Sequence, residues 1–476
     1  MPTNHDVIVI GNGALGSSIA FELARRGTNV ARVGGSARRH AASTAAGAML
    51  GCFGEVTEPL MSTEHGRSKL SLDHQARGLW AEWLRALSEY SGDESELITA
   101  DGTFVFLNSV GTAAIDTTNF AVIEAALNQY DEPYELVDAE SIDWMRPNEL
   151  FRPLRALYMP QEHAINTARL FTKLDAALLK AGGAIVEDHV TSLVVEGDSV
   201  TGVVLANGQT LSAGQVIVAA GAQSVELLSD LEDVHRKIPP MVSGYGVSAL
   251  VRTKDRSLPR SVLRTPNRAL ACGLHCVPRG DGVLYLGATN IISDAPRNHA
   301  DLKDLKFLVD CSIDQLHTDL EEAALVDVQV GNRPIPADGY PLFGATGVAG
   351  LWMASGTYRD GLHQSPLLAR EMADMLENGL GQTAELRAFE PVRAPLAPGT
   401  REQVVASAVS HMVATGYERK WNITGEWPAI IEESLARKYL DTADALDEEF
   451  TPPAEFLVTM SDHKWAALRR YYAAWR

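Results

Sequence analysis

The chain has 476 residues, 46% of them hydrophobic and 21% charged, which suits a globular protein of two or three domains and excludes a disordered chain. A formal net charge of −20 argues against nucleic acid or an anionic membrane as the main partner, yet leaves room for a small anion held by local arginines. No charged-then-apolar leader precedes the first strand and no apolar run is long enough to span a bilayer, so a cytoplasmic protein with no membrane partner is expected.

The first elements read as strand, glycine loop, helix, strand. "VIVI", Val7 to Ile10, is the all-apolar run of a parallel strand buried on both faces. Gly11, Gly13 and Gly16 follow as G-x-G-x-x-G. These glycines serve a tight turn, close approach of backbone to a pyrophosphate, and close helix–strand packing. Leu15, Ile19 and Leu23 give the next helix an apolar stripe that stops near Gly27. The helix N-terminus, at Ala14 and Leu15, offers open N–H groups to phosphate. The second strand should then end on an acid that holds an adenosine ribose, but it ends on Val33-Gly34-Gly35. Backbone, Ser36 or a water is left to hold the ribose, and Arg38 or Arg39 to reach the pyrophosphate.

Further along, helices are expected over about 69–90, 168–183 and 302–325, and a strand at "GTFVFL". "VTSLVVEGDSVTGVVLANG" reads as a hairpin with Gly-Asp and Asn-Gly turns. "GQVIVAAGA" reads as another buried parallel strand running into Gly221. "GVSALVR" and "GVLYLGAT" look antiparallel. Past the proline-rich "PVRAPLAPG" the pattern is helical. Val405, Val409 and Met412 share one face, and Trp465, Leu468, Tyr472 and Trp475 another. The four cysteines (Cys52, Cys272, Cys276, Cys311) are too scattered for a disulfide scaffold or a zinc site, so reduced thiols and no metal are expected.

The glycine motif alone does not separate NAD from FAD. "ASTAAGAML", Ala42 to Leu50, does: its small side chains let a planar ring lie on the backbone. With this segment the chain resembles the D-amino-acid oxidase superfamily of flavoproteins, and within it the glycine-oxidase and sarcosine-oxidase-like group. "HVTSLVVEGDSVTGVVLANG", "VIVAAGAQS", "HCVPRGDGVLYLGAT", "VGNRPIPADGYPLFG" and "ASGTYRDGLHQSP" match that family in order, over about residues 5–393.

The resemblance implies a mixed α/β fold: a Rossmann-type FAD-binding domain (1–60, 151–235 and 326–393), an antiparallel substrate-binding domain (61–150 and 236–325), and a helical extension (394–476). It places FAD against Gly11, Gly13, Ala14, Leu15, Gly16, Gly34, Gly35, Ala42, Ser43, Thr44, Gly47, Ala48 and Met49. Val190 would meet adenine through its backbone, with Gly221 and the run Gly356, Thr357, Tyr358, Arg359, Asp360, Gly361 and Leu362 also at the cofactor. Non-covalent FAD is expected, since Thr44 precedes Ala45-Ala46-Gly47 and no cysteine follows Cys311.

Arg333 falls on the family's carboxylate-gripping arginine, where a guanidinium fixes both position and charge. Arg359 and Tyr358 sit near the flavin, and His275 stands where a tyrosine helps hold the carboxylate. The implied reaction is hydride transfer from the C–N-bearing carbon of a small amino-acid-like carboxylate. The imine hydrolyses to glyoxylate or a keto acid plus amine, and O2 returns as H2O2. An N-substituted substrate such as an N-carboxymethyl amino acid is favoured, with Trp421, Trp427, Trp465, Trp475, Tyr471 and Tyr472 as candidate walls of an enlarged entrance. A D-amino acid or sarcosine oxidase or dehydrogenase stays open, as do a nicotinamide-dependent dehydrogenase and a non-catalytic FAD-binding protein. The extension has three open uses: a cap on the entrance, a homo-oligomer interface, or added packing.

Overall fold

A computed structural model describes residues 4–110, 113–268, 273–379, 381 and 383–476. The first strand, β1 (Asn4–Ile10), lies at the centre of an eight-stranded sheet. It pairs in parallel with β2 (Val30–Val33) on one side and with Thr210–Val218 on the other. Val7 to Ile10 are buried, as a strand covered on both faces requires. The helix α1 (Ala14–Arg25) packs Ile19, Phe21 and Leu23 into the main core, with Leu15 at its edge, against the helices Glu64–Ser91, Thr167–Lys180 and Ser365–Asn378. The hairpin Val190–Glu196 with Ser199–Leu205 extends the sheet in antiparallel fashion.

A nine-stranded sheet forms the second layer. Its order runs from Ile291–Ser293 through Met241–Arg252, Val283–Gly287, His275–Gly280, Val262–Arg264 and Thr103–Asn108 to Pro153–Met159 and Glu135–Val137. The long strand Ala324–Pro336 pairs along Met241–Arg252. Two strands from segments expected in the FAD-binding domain are therefore built into the second sheet: Pro153–Met159, just past 150/151, and Ala324–Pro336, which straddles 325/326. The physical reason is visible at Asn332. The strand runs on from the second sheet to the dinucleotide side, where the Asn332 amide N–H and side chain both donate to His40 O.

The expected helices at 69–90 and 168–183 are present as Glu64–Ser91 and Thr167–Lys180. The first begins earlier because the Thr63 side chain accepts from Gly66 N, an N-cap. The helix expected over 302–325 stops at Gln315. There His317 turns extended and its ring accepts from Asp319 N, starting a 3-10 turn before the next strand.

Four helices make the extension: Arg401–Glu418, Trp427–Leu446, Ala454–Val458 and Asp462–Ala473. Phe456, Leu468, Tyr471 and Tyr472 pack on Val242, Ile335 and Ala337 of the second sheet, and Trp465 and Trp475 adjoin them. Trp421 and Trp427 are exposed. No residue of 394–476 lines the large cavity described below, so the aromatic wall expected there is absent; Tyr471, Tyr472, Trp465 and Trp475 pack the extension on the second sheet instead. Cys52, Cys276 and Cys311 are free thiols, and Cys272 lies outside the described residues. Among the described residues no helix is long and apolar enough to cross a membrane.

Candidate active site

A cavity of about 1270 Å³ runs from the ends of β1 and β2 to the face of the second sheet. At its dinucleotide end the glycines are sterically required. A Cβ on Gly11 would lie 2.1 Å from Ala219 O, and one on Gly16 would lie 2.2 Å from Gly11 O. The turn at Gly11 also has φ +122°, which a side chain resists. The helix α1 has no side-chain cap and no acid in its first turn. Ala14 N donates to Ser43 Oγ at 3.0 Å, while the N–H groups of Leu15 and Gly16 have no partner inside the helix. This cradle fits a pyrophosphate.

Most of the residues assigned above to the cofactor lie on the cavity wall, including Gly13, Gly34, Gly35, Val190, Gly221 and the run 357–362. Ala42, Ser43, Gly47, Ala48 and Met49 line it too. Gly16, Thr44 and Gly356 stand behind it. Thr44 turns its hydroxyl to Arg38 O and Ala41 O, and a Cβ on Gly356 would meet the Pro336 ring at 2.5 Å. Arg38 and Arg39 both line the cavity. Arg38 also donates to Asn12 O and Asp175 and lies over the Phe171 ring.

At the other end, one face of the second sheet gathers charged and polar side chains. Arg264, His275 and Gly287 are direct cross-strand partners. Arg333 lies opposite Gly244 and extends over Gly246, where a Cβ would come within 2.3 Å of its Nη1. That nitrogen donates to Thr289 O at 3.1 Å and to Asn290 Oδ1 at 3.3 Å. No carboxylate among the described residues pairs with Arg333, so its charge faces the cavity unbalanced.

Arg359 and Tyr358 adjoin it. Arg359 Nη2 donates to the Tyr358 hydroxyl at 3.1 Å, and Asn290 Nδ2 donates to that same hydroxyl. Asp360 is buried against Lys69.

His275 is fully buried between these groups. Its Nδ1 lies 2.9 Å from Gly273 O, and a carbonyl only accepts, so Nδ1 carries the hydrogen and Nε2 presents a lone pair. Burial first, then the charges of Arg264 and Arg333, push its pKa down to about 4. The ring stacks on Tyr285 at 5.6 Å. Beside Arg333 this nitrogen is therefore an acceptor.

The sequence reading passed over several residues that complete the site. Glu55 accepts from Arg264 at 2.7 Å and lies 3.6 Å from Arg359. Burial opposes its ionisation, but the two guanidinium groups hold its carboxyl well below the usual range. Asn267 Nδ2 donates to it at 2.9 Å. Tyr285 donates to Ala45 O and Arg279 to Ala46 O, so the second sheet clasps the small-residue loop from below. A charged residue inside the apolar strand "SVLRT" was the available signal for Arg264.

A family model for FAD dependent oxidoreductases (DAO) matches residues 6–375. Glycine oxidase from Pseudomonas putida is 28% identical over 378 residues, covering 78% of this chain and 94% of that relative. The crystal structure of glycine oxidase from Geobacillus kaustophilus superposes with a TM-score of 0.69 at 23% identity, covering 82% of this chain and 99% of that one. Iminodiacetate oxidase from Chelativorans sp. BNC1 superposes at 0.68 with 19% identity, covering 82% and 100%. With the glycine cradle, the small-residue loop and the arginine face all on one cavity, the chain belongs to the DAO family of FAD-dependent oxidoreductases.

Proposed function

We propose that this protein oxidises the C–N bond of a glycine-type amino acid whose nitrogen carries an acidic substituent, an N-carboxymethyl amino acid. The observation that carries the reading is the unbalanced charge at Arg333 beside a neutral, accepting His275. Continuing the register Ala249↔Leu286 puts Gly246, under Arg333, diagonal to Gly287, under His275. Such positions lie about 7–8 Å apart. That distance suits a carboxylate–carbon–amine unit with a hydrogen bond at each end.

Bound FAD supplies the two-electron acceptor for the hydride that leaves the substrate carbon. Arg333 holds the carboxylate, bidentate and permanently charged. His275 Nε2 accepts the amine N–H, which orients the nitrogen lone pair without removing a proton. Beyond His275, Arg264 and Arg359 flank the Glu55 carboxylate. Guanidinium groups on the cavity wall favour a second carboxylate on the substrate, and Arg333 disfavours an ammonium beside it, keeping the amine in its reactive neutral form. Iminodiacetate, named for one structural neighbour, is a molecule of this class.

The test is anaerobic flavin reduction with glycine, sarcosine, D-alanine, D-proline and N-carboxymethyl amino acids. The N-carboxymethyl compounds should reduce fastest, because binding energy from the second carboxylate aligns the reacting carbon. Faster reduction by glycine or sarcosine than by every N-carboxymethyl compound refutes the reading.

A further inference from the structure

The end of β2 cannot carry the acid that usually holds an adenosine ribose. Gly34 has φ +153°, and a Cβ there would meet the Asn12 side chain at 2.8 Å. The Asn12 side-chain amide also donates to Gly35 O, closing the space from that side. The neighbouring strand supplies a carboxylate instead. Ala184–Val186 pairs in parallel with β2, and Gly34 N donates to Val186 O at 3.0 Å, so the two strands end together.

The next residue is Glu187. Its Oε2 accepts from Ser36 N at 2.8 Å and lies 3.5 Å from the place a Cβ on Gly35 would take. One oxygen thus fixes the group, and Oε1 has no hydrogen-bond partner among the described residues. Its neighbours Gly35, Asp188 and Val190 line the cavity. Asp188 is the other acid at this spot, but its Oδ1 accepts from His189 N at 2.7 Å and its Oδ2 from Asn207 N at 3.3 Å, which makes it a turn brace.

We infer that Glu187 takes the place of the missing strand-end acid and accepts hydrogen bonds from the adenosine ribose hydroxyls of FAD. A carboxylate held by one backbone N–H keeps the capacity to accept from a cis-diol, and bonds to a charged acceptor are the strong kind. The acid has moved from the end of one strand to the end of its parallel neighbour, about 4.8 Å away in the sheet.

The experiment is FAD titration of the apoprotein, read by flavin fluorescence, for the wild type and Glu187→Gln. The amide keeps the Ser36 contact and the shape, and removes the charge. The Kd for FAD should rise about tenfold or more, as expected for losing a charged hydrogen bond. FAD whose adenosine lacks the 2′-hydroxyl should bind the wild type correspondingly more weakly, and Glu187→Gln should add little to that loss. FMN, which has no adenosine, should bind both proteins equally. Wild type that binds the deoxy compound as tightly as FAD overturns the inference. So does a Glu187→Gln loss that is the same for FAD and for the deoxy compound.

Discussion

At the scale of single residues, the proposed function gives Arg333 and His275 opposite demands on the substrate, and each demand is measurable. Arg333→Ala should lower kcat/KM by about 2–4 kcal/mol, the cost of leaving a buried carboxylate without its partner, while FAD content stays unchanged. Wild-type kinetics in that variant on the best substrate would remove Arg333 from the site. His275 predicts a pH behaviour. Its folded pKa of about 4 lies below the unfolded value near 6.5, so the unfolded chain binds the extra proton first. The stability tied to its neutral form is present above pH 6.5 and is lost as pH falls from there toward 4. Thermal melts should show a smaller loss in His275→Gln than in the wild type, the remainder coming from other imidazoles held below their ordinary value, such as buried His363. The profile of kcat/KM should lack an inflection near 6.5, because the imidazole does not titrate there. The place of Arg333 on the cavity wall was legible in the sequence because the residue sits in a local motif, "GNRP". The polarity of His275 was not, because it depends on Gly273 O two residues away in a particular rotamer.

At the scale of elements, legibility followed sequence locality. The turn at Gly11, the helix α1 and the parallel strands around them are specified within about thirty residues, and the structure keeps them as read. The segment 302–325 misled because its apolar spacing continues past Gln315, while His317 ends the helix through a hydrogen bond to its own backbone turn. Glu55, Arg264 and Arg359 meet from a 3-10 turn, a strand and a loop, and nothing in local spacing joins them. The same holds for Glu187, which matters only because the strand Ala184–Val186 lies beside β2. Such residues become visible only once the register is known. Sheet register, more than any single motif, therefore decides what stands around the reacting carbon.

At the scale of the whole molecule, the extension acts on the site from behind rather than from within. None of its residues lines the cavity, yet its cluster of Leu446, Phe456, Leu468, Tyr471 and Tyr472 covers Val242, Ile335 and Ala337. Ile335 is two residues from Arg333 on the same strand, and Tyr358 packs against this cluster as well. The contact is reinforced by polar links: buried Lys464 pairs with Asp294 at 2.8 Å, and the Tyr471 hydroxyl donates to Arg393 O at 3.0 Å. Arg393 itself pairs with Asp338, which pins the proline-rich linker to the sheet. Loosening the extension should thus disturb the substrate end and spare the dinucleotide end. Phe456→Ala tests this, since removing a fully buried aromatic ring costs about 3–5 kcal/mol. The variant should unfold at a lower temperature and keep its full complement of FAD. Its KM should rise because the strand bearing Arg333 and the Tyr358 ring lose their backing. A fall in FAD content that tracks the loss of stability would place the extension's influence at the cofactor end and refute this division of labour.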